Sequence, residues 1–81
     1  MVSSTEFASM SIPDKAWQLY KHGTFIIGIR YYRYKINLYL YGSEYLEVFY
    51  NHKHDFVEKI EVLDTSHTRM KFYEDQIKLS V

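Results

Sequence analysis

After Gly23 the hydrophobic period of the chain falls from about 3.6 residues to about 2 and stays there until Val62. Phe25, Ile27, Ile29 and Tyr31 line one side of a first strand, with Ile26, Gly28, Arg30 and Tyr32 on the other. Ile36, Leu38 and Leu40 then alternate with Lys35, Asn37, Tyr39 and Tyr41, and Leu46, Val48 and Tyr50 with Tyr45, Glu47 and Phe49. After a polar loop, Asn51 to Asp55, Ile60 and Val62 alternate with Lys59 and Glu61. A parallel crossover needs about a dozen residues, which these connections lack, so the four strands are expected to form an antiparallel meander.

The flanks read as helices. Ser11 can cap a helix start, Asp14 completes a capping box, and Pro13 is tolerated in a first turn. Ile12, Ala16, Leu19 and Tyr20 follow at helical spacing with Trp17 beside them. Lys21 and His22 close the last turn, and Gly23 stands as a C′ residue. Ser66 to Gln76 has helical composition, with Met70, Tyr73 and Ile77 on one side and capping oxygens at Asp64, Thr65 and Ser66. The expected fold is α+β, a four-stranded antiparallel meander with an N-terminal and a C-terminal helix, in the order α-β-β-β-β-α. Residues 1–10 read as a polar lead-in from which Phe7 could dock on the core, and residues 11–81 as a single domain.

A chain of 81 residues leaves room for one core, and a domain this short buries only about 60–65% of its unfolded surface. An aromatic content of 19% offsets that limit, because rings bury much area for little side-chain entropy. With no Cys, disulfides, thiolate metal sites and cysteine nucleophiles are excluded, which fits a cytoplasmic setting. Met1 to Ser11 has neither the basic start nor the apolar run of a signal peptide. The longest apolar stretch, Phe25-Ile26-Ile27-Gly28-Ile29, is far short of a membrane span. Net charge is zero, but the signs are segregated. Lys15, Lys21, Arg30, Arg33 and Lys35 precede Ile36 with no acid among them, whereas Glu44, Glu47, Asp55, Glu58, Glu61 and Asp64 follow it against Lys53 and Lys59. Cross-strand neutralisation accounts for this more simply than a basic, phosphate-seeking half.

The register of the second hairpin decides which residues share a face. A two-residue turn at Gly42-Ser43 would put Leu38 beside Glu47. A three-residue loop, Gly42 to Glu44, aligns Leu40 with Leu46 and gathers the aliphatic side chains, and burial of a whole face favours that longer loop. The opposite face then carries Tyr39, Tyr41, Tyr45 and Phe49 among Lys35, Asn37 and Glu47, with Arg30 and Tyr32 from the first strand. Such a surface suits a protein partner or a second copy of the chain. Nucleic acid, stacked on the rings and held by the basic first hairpin, stands second because Glu47 opposes it. The candidate binding residues are therefore Arg30, Tyr32, Lys35, Tyr39, Tyr41, Tyr45 and Phe49. Tyr is also a good strand former, so these rings have a purely structural reading as well.

Chemical signatures are few. His52-Lys53-His54-Asp55 offers two imidazoles and a carboxylate, but a closed zinc site needs further ligands, which only His22 or His67 could bring through the fold. The segment also reads as a polar hairpin loop, so no metal and no cofactor is expected. No Gly-x-Ser-x-Gly elbow and no Gly-rich phosphate loop is present, and Glu47, Glu58 and Glu61 read as the wet side of a sheet. The expectation is a non-enzymatic interaction or regulatory module. The core is expected to hold Trp17, Leu19, Ile27, Ile36, Leu38, Val48 and Ile60.

The strings His22-Gly23-Thr24-Phe25, Tyr34-Lys35-Ile36-Asn37-Leu38-Tyr39, Glu47-Val48-Phe49-Tyr50 and Glu58-Lys59-Ile60-Glu61 resemble a group of short bacterial proteins, a domain of unknown function. The resemblance spans most of the chain from the first helix onward. Its strings are structural rather than chemical, so it implies no activity, ligand or catalytic residue.

Overall fold

Two helices, rather than one, precede the sheet. The computed structural model describes residues 2–64, 66 and 68–79, and within the lead-in it forms α1 (Ser4–Ser9). Six residues are too few to hold a helix unaided. Here Ser3 caps the Glu6 N–H at 3.2 Å, and Phe7 buries its ring against the core. The next helix, α2 (Ile12–His22), starts as its sequence expects, with Ser11 Oγ accepting from Asp14 N at 3.3 Å. It ends at Gly23, whose N–H donates to Leu19 O at 2.9 Å. Gly23 is not left-handed (φ −89°), and its requirement is space. A Cβ there would lie 2.7 Å from Leu19 O and 3.3 Å from Leu40 O.

The strands β1 (Thr24–Tyr31), β2 (Tyr34–Tyr41), β3 (Glu44–Asn51) and β4 (Phe56–Val62) pair in sequence order, all antiparallel, and α3 (Thr68–Leu79) follows. The α+β meander between helices is thus the observed fold. Among the described residues no helix is long and apolar enough to cross a membrane. Extra residues kink both outer strands: Ile26 in β1, between Phe25 and Ile27, and Glu58 in β4, between Val57 and Lys59. Asn51 organises the last hairpin by accepting from Lys53 N and His54 N through Oδ1, and Asp55 closes it with φ 62°.

The second hairpin takes the two-residue turn. Tyr41 pairs with Glu44, Leu40 with Tyr45 and Leu38 with Glu47, while Gly42 at φ 61° supplies the left-handed position such a turn requires. The expected three-residue loop, and with it a single aliphatic face, is therefore corrected. Both faces of the sheet are buried instead. On one, Tyr41, Leu46, Val48 and Ile60 pack with Phe7 and Leu19 under α1 and α2. On the other, Ile29, Ile36, Leu38, Phe49 and Leu63 pack with Tyr73 of α3.

Glu47 faces α3 and is 0% exposed. Its carboxylate accepts from Arg69 Nε at 2.9 Å, Arg69 Nη2 at 3.0 Å and Tyr73 Oη at 2.8 Å. That fork satisfies the buried charge and makes the two-residue turn tolerable. Leu19, Ile36, Leu38, Val48 and Ile60 are buried as expected, and Ile27 is half-buried. Trp17 is 62% exposed, contrary to expectation. Ile12, Ala16 and Leu19 form the inward stripe of α2, and Trp17 stands about 100° round the helix from Ala16. At the head of α3, Asp64 Oδ1 accepts from Ser66 N at 2.9 Å. Thr65, His67 and the Ile77 side chain lie outside the described residues.

Candidate functional site

Side chains opposite α3 form rows across the sheet, set by the register. Phe25, Tyr39 and Leu46 make one row, Gly28, Asn37 and Val48 the next, and Arg30, Lys35 and Tyr50 the third. Helices α1 and α2 cover the Leu46 and Val48 side of this face, and the β1–β2 side is left open.

Rings crowd the first row. Tyr20 of α2 and Phe25 of β1 flank Tyr39, with ring centroids 5.9 Å and 5.6 Å from it. Burial pushes the Tyr39 phenol above its ordinary pKa, and the neighbouring Tyr20 adds to that. Trp17 lies one turn before Tyr20, with Lys21 Nζ 5.8 Å from its ring centroid. Trp17, Tyr20 and Phe25 each leave more than half their surface in water (62%, 57% and 55%). Two exposed rings around Tyr39, with exposed Trp17 one turn along α2, make a step of apolar surface at the edge of that helix.

Cations line the third row. Arg30 and Lys35 are direct cross-strand partners, so two like charges stand side by side on one face. His52, from the loop after β3, turns to Arg30 rather than towards His54, with Arg30 Nη1 2.7 Å from His52 Nε2. Because a guanidinium only donates, that nitrogen accepts. With Gly28, Ile29 and Tyr50 these residues enclose a shallow cleft of about 250 Å3 with no carboxylate in its lining. The Tyr50 hydroxyl donates to Asp55 Oδ1.

The proposed binding residues do not share one surface. Arg30, Lys35 and Tyr39 lie on this open face. Tyr41, though on the same side, is buried beneath α1 and α2, where its hydroxyl donates to Gln18 Oε1 and accepts from Val2 N. Tyr45 and Phe49 face α3, and Phe49 is 2% exposed. Tyr32 is at the tip of the first hairpin, almost fully exposed, with φ 55°. The two-residue turn separates them, since a one-residue slip sends alternate side chains to opposite faces. Tyr20, Phe25, Tyr50 and His52 belong to the open face, and Trp17 stands exposed one turn before Tyr20; none was anticipated there. The α2 periodicity held a signal for Trp17, which stands off the Ile12, Ala16, Leu19 stripe.

Two other features bear on chemistry. A larger cleft of about 490 Å3 runs between α1, the β2–β3 turn and β4, with Phe7, Tyr41, Leu46 and Ile60 at its base and Lys15, Glu44 and Glu61 among its lining. On the α3 side the Tyr34 hydroxyl donates to Glu58. That bond, helped by Asn51 and Arg33, holds the Glu58 carboxyl below its ordinary range against a smaller opposing effect of burial. Among the described residues no three of His, Asp and Glu gather where a metal ion could sit. Compared with known proteins, the chain matches no family model, no curated protein and no solved structure.

Proposed function

We propose that the protein is a small, non-enzymatic binding module of the cytoplasm that holds a protein partner through the step of Trp17, Tyr20, Phe25 and Tyr39. The observation that carries this reading is the exposure of Tyr20 and Phe25 where they flank Tyr39, with the exposed Trp17 one turn before Tyr20 on the same helix. Covering apolar area gains about 25 cal/mol per Å2, so a group of rings rewards a partner that scattered rings would not. Trp and Tyr are also the residues on which binding energy tends to concentrate. Lys21 beside Trp17 and the cations of the third row would select acidic surface next to the apolar contact.

Nucleic acid remains the second reading, and one observation favours it. Glu47, the acid expected among the rings, is buried under α3 on the other side of the sheet. The open strip therefore combines rings and cations without a carboxylate in its basic cleft. Salt separates the two readings, because phosphate contacts weaken steeply with ionic strength and apolar protein contacts do not. Light scattering and capture from lysate at low and high salt, with Trp17→Ser/Tyr20→Ser as the comparison, make the test. The expected result is a salt-resistant protein partner, or a dimer, lost in the double variant. A monomer whose bound proteins are the same for parent and variant overturns the reading, and a salt-labile nucleic acid replaces it with the second.

A further inference from the structure

We propose that the cleft of Gly28, Arg30, Lys35 and His52 binds a phosphate monoester. Arg30 and Lys35 are directly opposed on one face, a like-charge pairing that an anion beside both would relieve. Among the described residues neither has an acidic partner: the ion pairs are Lys59–Glu61 and Arg69–Glu47. The Arg30 guanidinium is steadied instead by the neutral nitrogen of His52, at 2.7 Å. One contact to an imidazole uses a small part of its five donors and leaves the fork that suits phosphate oxygens. Two adjacent cations match a dianion better than a singly charged carboxylate or diester.

Gly28 gives the cleft its floor. It pairs with Asn37 in the row between the rings and the cations. A Cβ there would come within 2.8 Å of Asn37 Oδ1 and 3.5 Å of Lys35 Cε, so any side chain would crowd the space in front of the cations. A cleft of about 250 Å3 is larger than a phosphate group alone, leaving room for the start of an ester substituent. The Tyr50 ring walls the cleft while its hydroxyl is committed to Asp55. The arrangement thus offers donors from β1 and β2, one of them steadied by His52 from the loop after β3, and a floor without a side chain.

The site shares Arg30 and Lys35 with the acidic contact proposed above but none of the rings of the aromatic step, so Trp17→Ser/Tyr20→Ser tells the two proposals apart. The test is titration of the full chain with inorganic phosphate, phenyl phosphate and dimethyl phosphate at constant ionic strength, followed by amide NMR. Saturable shifts centred on the amides of Gly28, Arg30 and Lys35 are expected for the first two ligands, with markedly weaker binding of the monoanionic diester. Arg30→Gln and Lys35→Gln are each expected to weaken phenyl phosphate about tenfold or more, in line with loss of one charge-assisted contact. Gly28→Ser, which changes no charge, should weaken it as well, whereas Trp17→Ser/Tyr20→Ser should bind as the parent does. Preserved amide dispersion shows that each variant is folded. Absence of saturable shifts at millimolar phosphate overturns the proposal. So does equal binding of dimethyl phosphate, or affinity unchanged in a folded Arg30→Gln variant.

Discussion

A carboxylate at the centre of a sheet is costly to desolvate, and Glu47 is tolerated because three donors reach it from one helix. Removing a donor leaves charge without compensation, whereas removing the whole polar group need not. Arg69→Met is therefore expected to lower stability by about 3–5 kcal/mol in urea unfolding. Glu47→Leu, Arg69→Met and Tyr73→Phe combined should recover most of that loss. An unchanged midpoint for Arg69→Met would mean that the fork does not form in solution. Tyr73 adds a pH dependence. Burial, and then its bond to Glu47, raises its phenol pKa above the ordinary 10.0. The native state thus keeps a proton that the unfolded chain releases. Stability from this group is complete below pH 10 and declines as pH rises above it, and Tyr73→Phe should flatten that alkaline limb. These residues also show where sequence reasoning stops. The pattern of β3 marked Glu47 as unsuited to an apolar face, a sound inference from the strand alone. Its partner Arg69 is 22 residues further on, at a position that looks like the wet side of a helix.

Local signals determine where the elements begin and end more securely than what lies on their faces. Ser11, Pro13 and Asp14 start α2 where their chemistry predicts, and each strand lies close to its alternating run. Helix α1 was missed, read as a polar lead-in: Ser3 Oγ caps Glu6 N and donates to Glu6 Oε1, but a six-residue helix exists only through the docking of Phe7. The bulges at Ile26 and Glu58 leave no clear mark in the sequence, because an extra residue changes the face of its neighbours without changing composition. Gly23 was expected as the residue that closes α2, and it is needed there for the close approach of α2 to β2. Gly23→Ala should accordingly cost about 1–3 kcal/mol, the usual range for overpacking, because the atoms it meets are backbone oxygens that cannot swing aside. Chemical denaturation followed by circular dichroism measures this, and a cost near zero would show that the end of α2 yields.

At the scale of the whole molecule, the two apolar clusters are joined through β2 and β3. Tyr41, Leu46 and Val48 serve one cluster, while Ile36, Leu38 and Phe49 serve the other. Truncation on either face should therefore loosen both. Leu38→Ala, on the α3 side, is expected to cost about 2–5 kcal/mol. It should shift the fluorescence transition of Trp17, the chain's one tryptophan and a reporter on the opposite side, together with the far-ultraviolet signal. Separate transitions would mean that the two sides melt independently. The meander was readable because its short connections exclude other topologies, and the exposed positions of Arg30 and Lys35 follow from the alternation of β1 and β2. The division of the tyrosines between two faces was not readable, because it turns on a single residue of hairpin register. The kinks in β1 and β4 carry a last consequence. They fall on the two strands with an unpaired side, and the Lys59–Glu61 pair sits on one of them. A neighbouring copy that tries to add itself laterally meets a bent, charged border instead of a straight ladder. Crowding should therefore not convert this chain into ribbons, and associations it does form are steered onto the broad sides of the sheet.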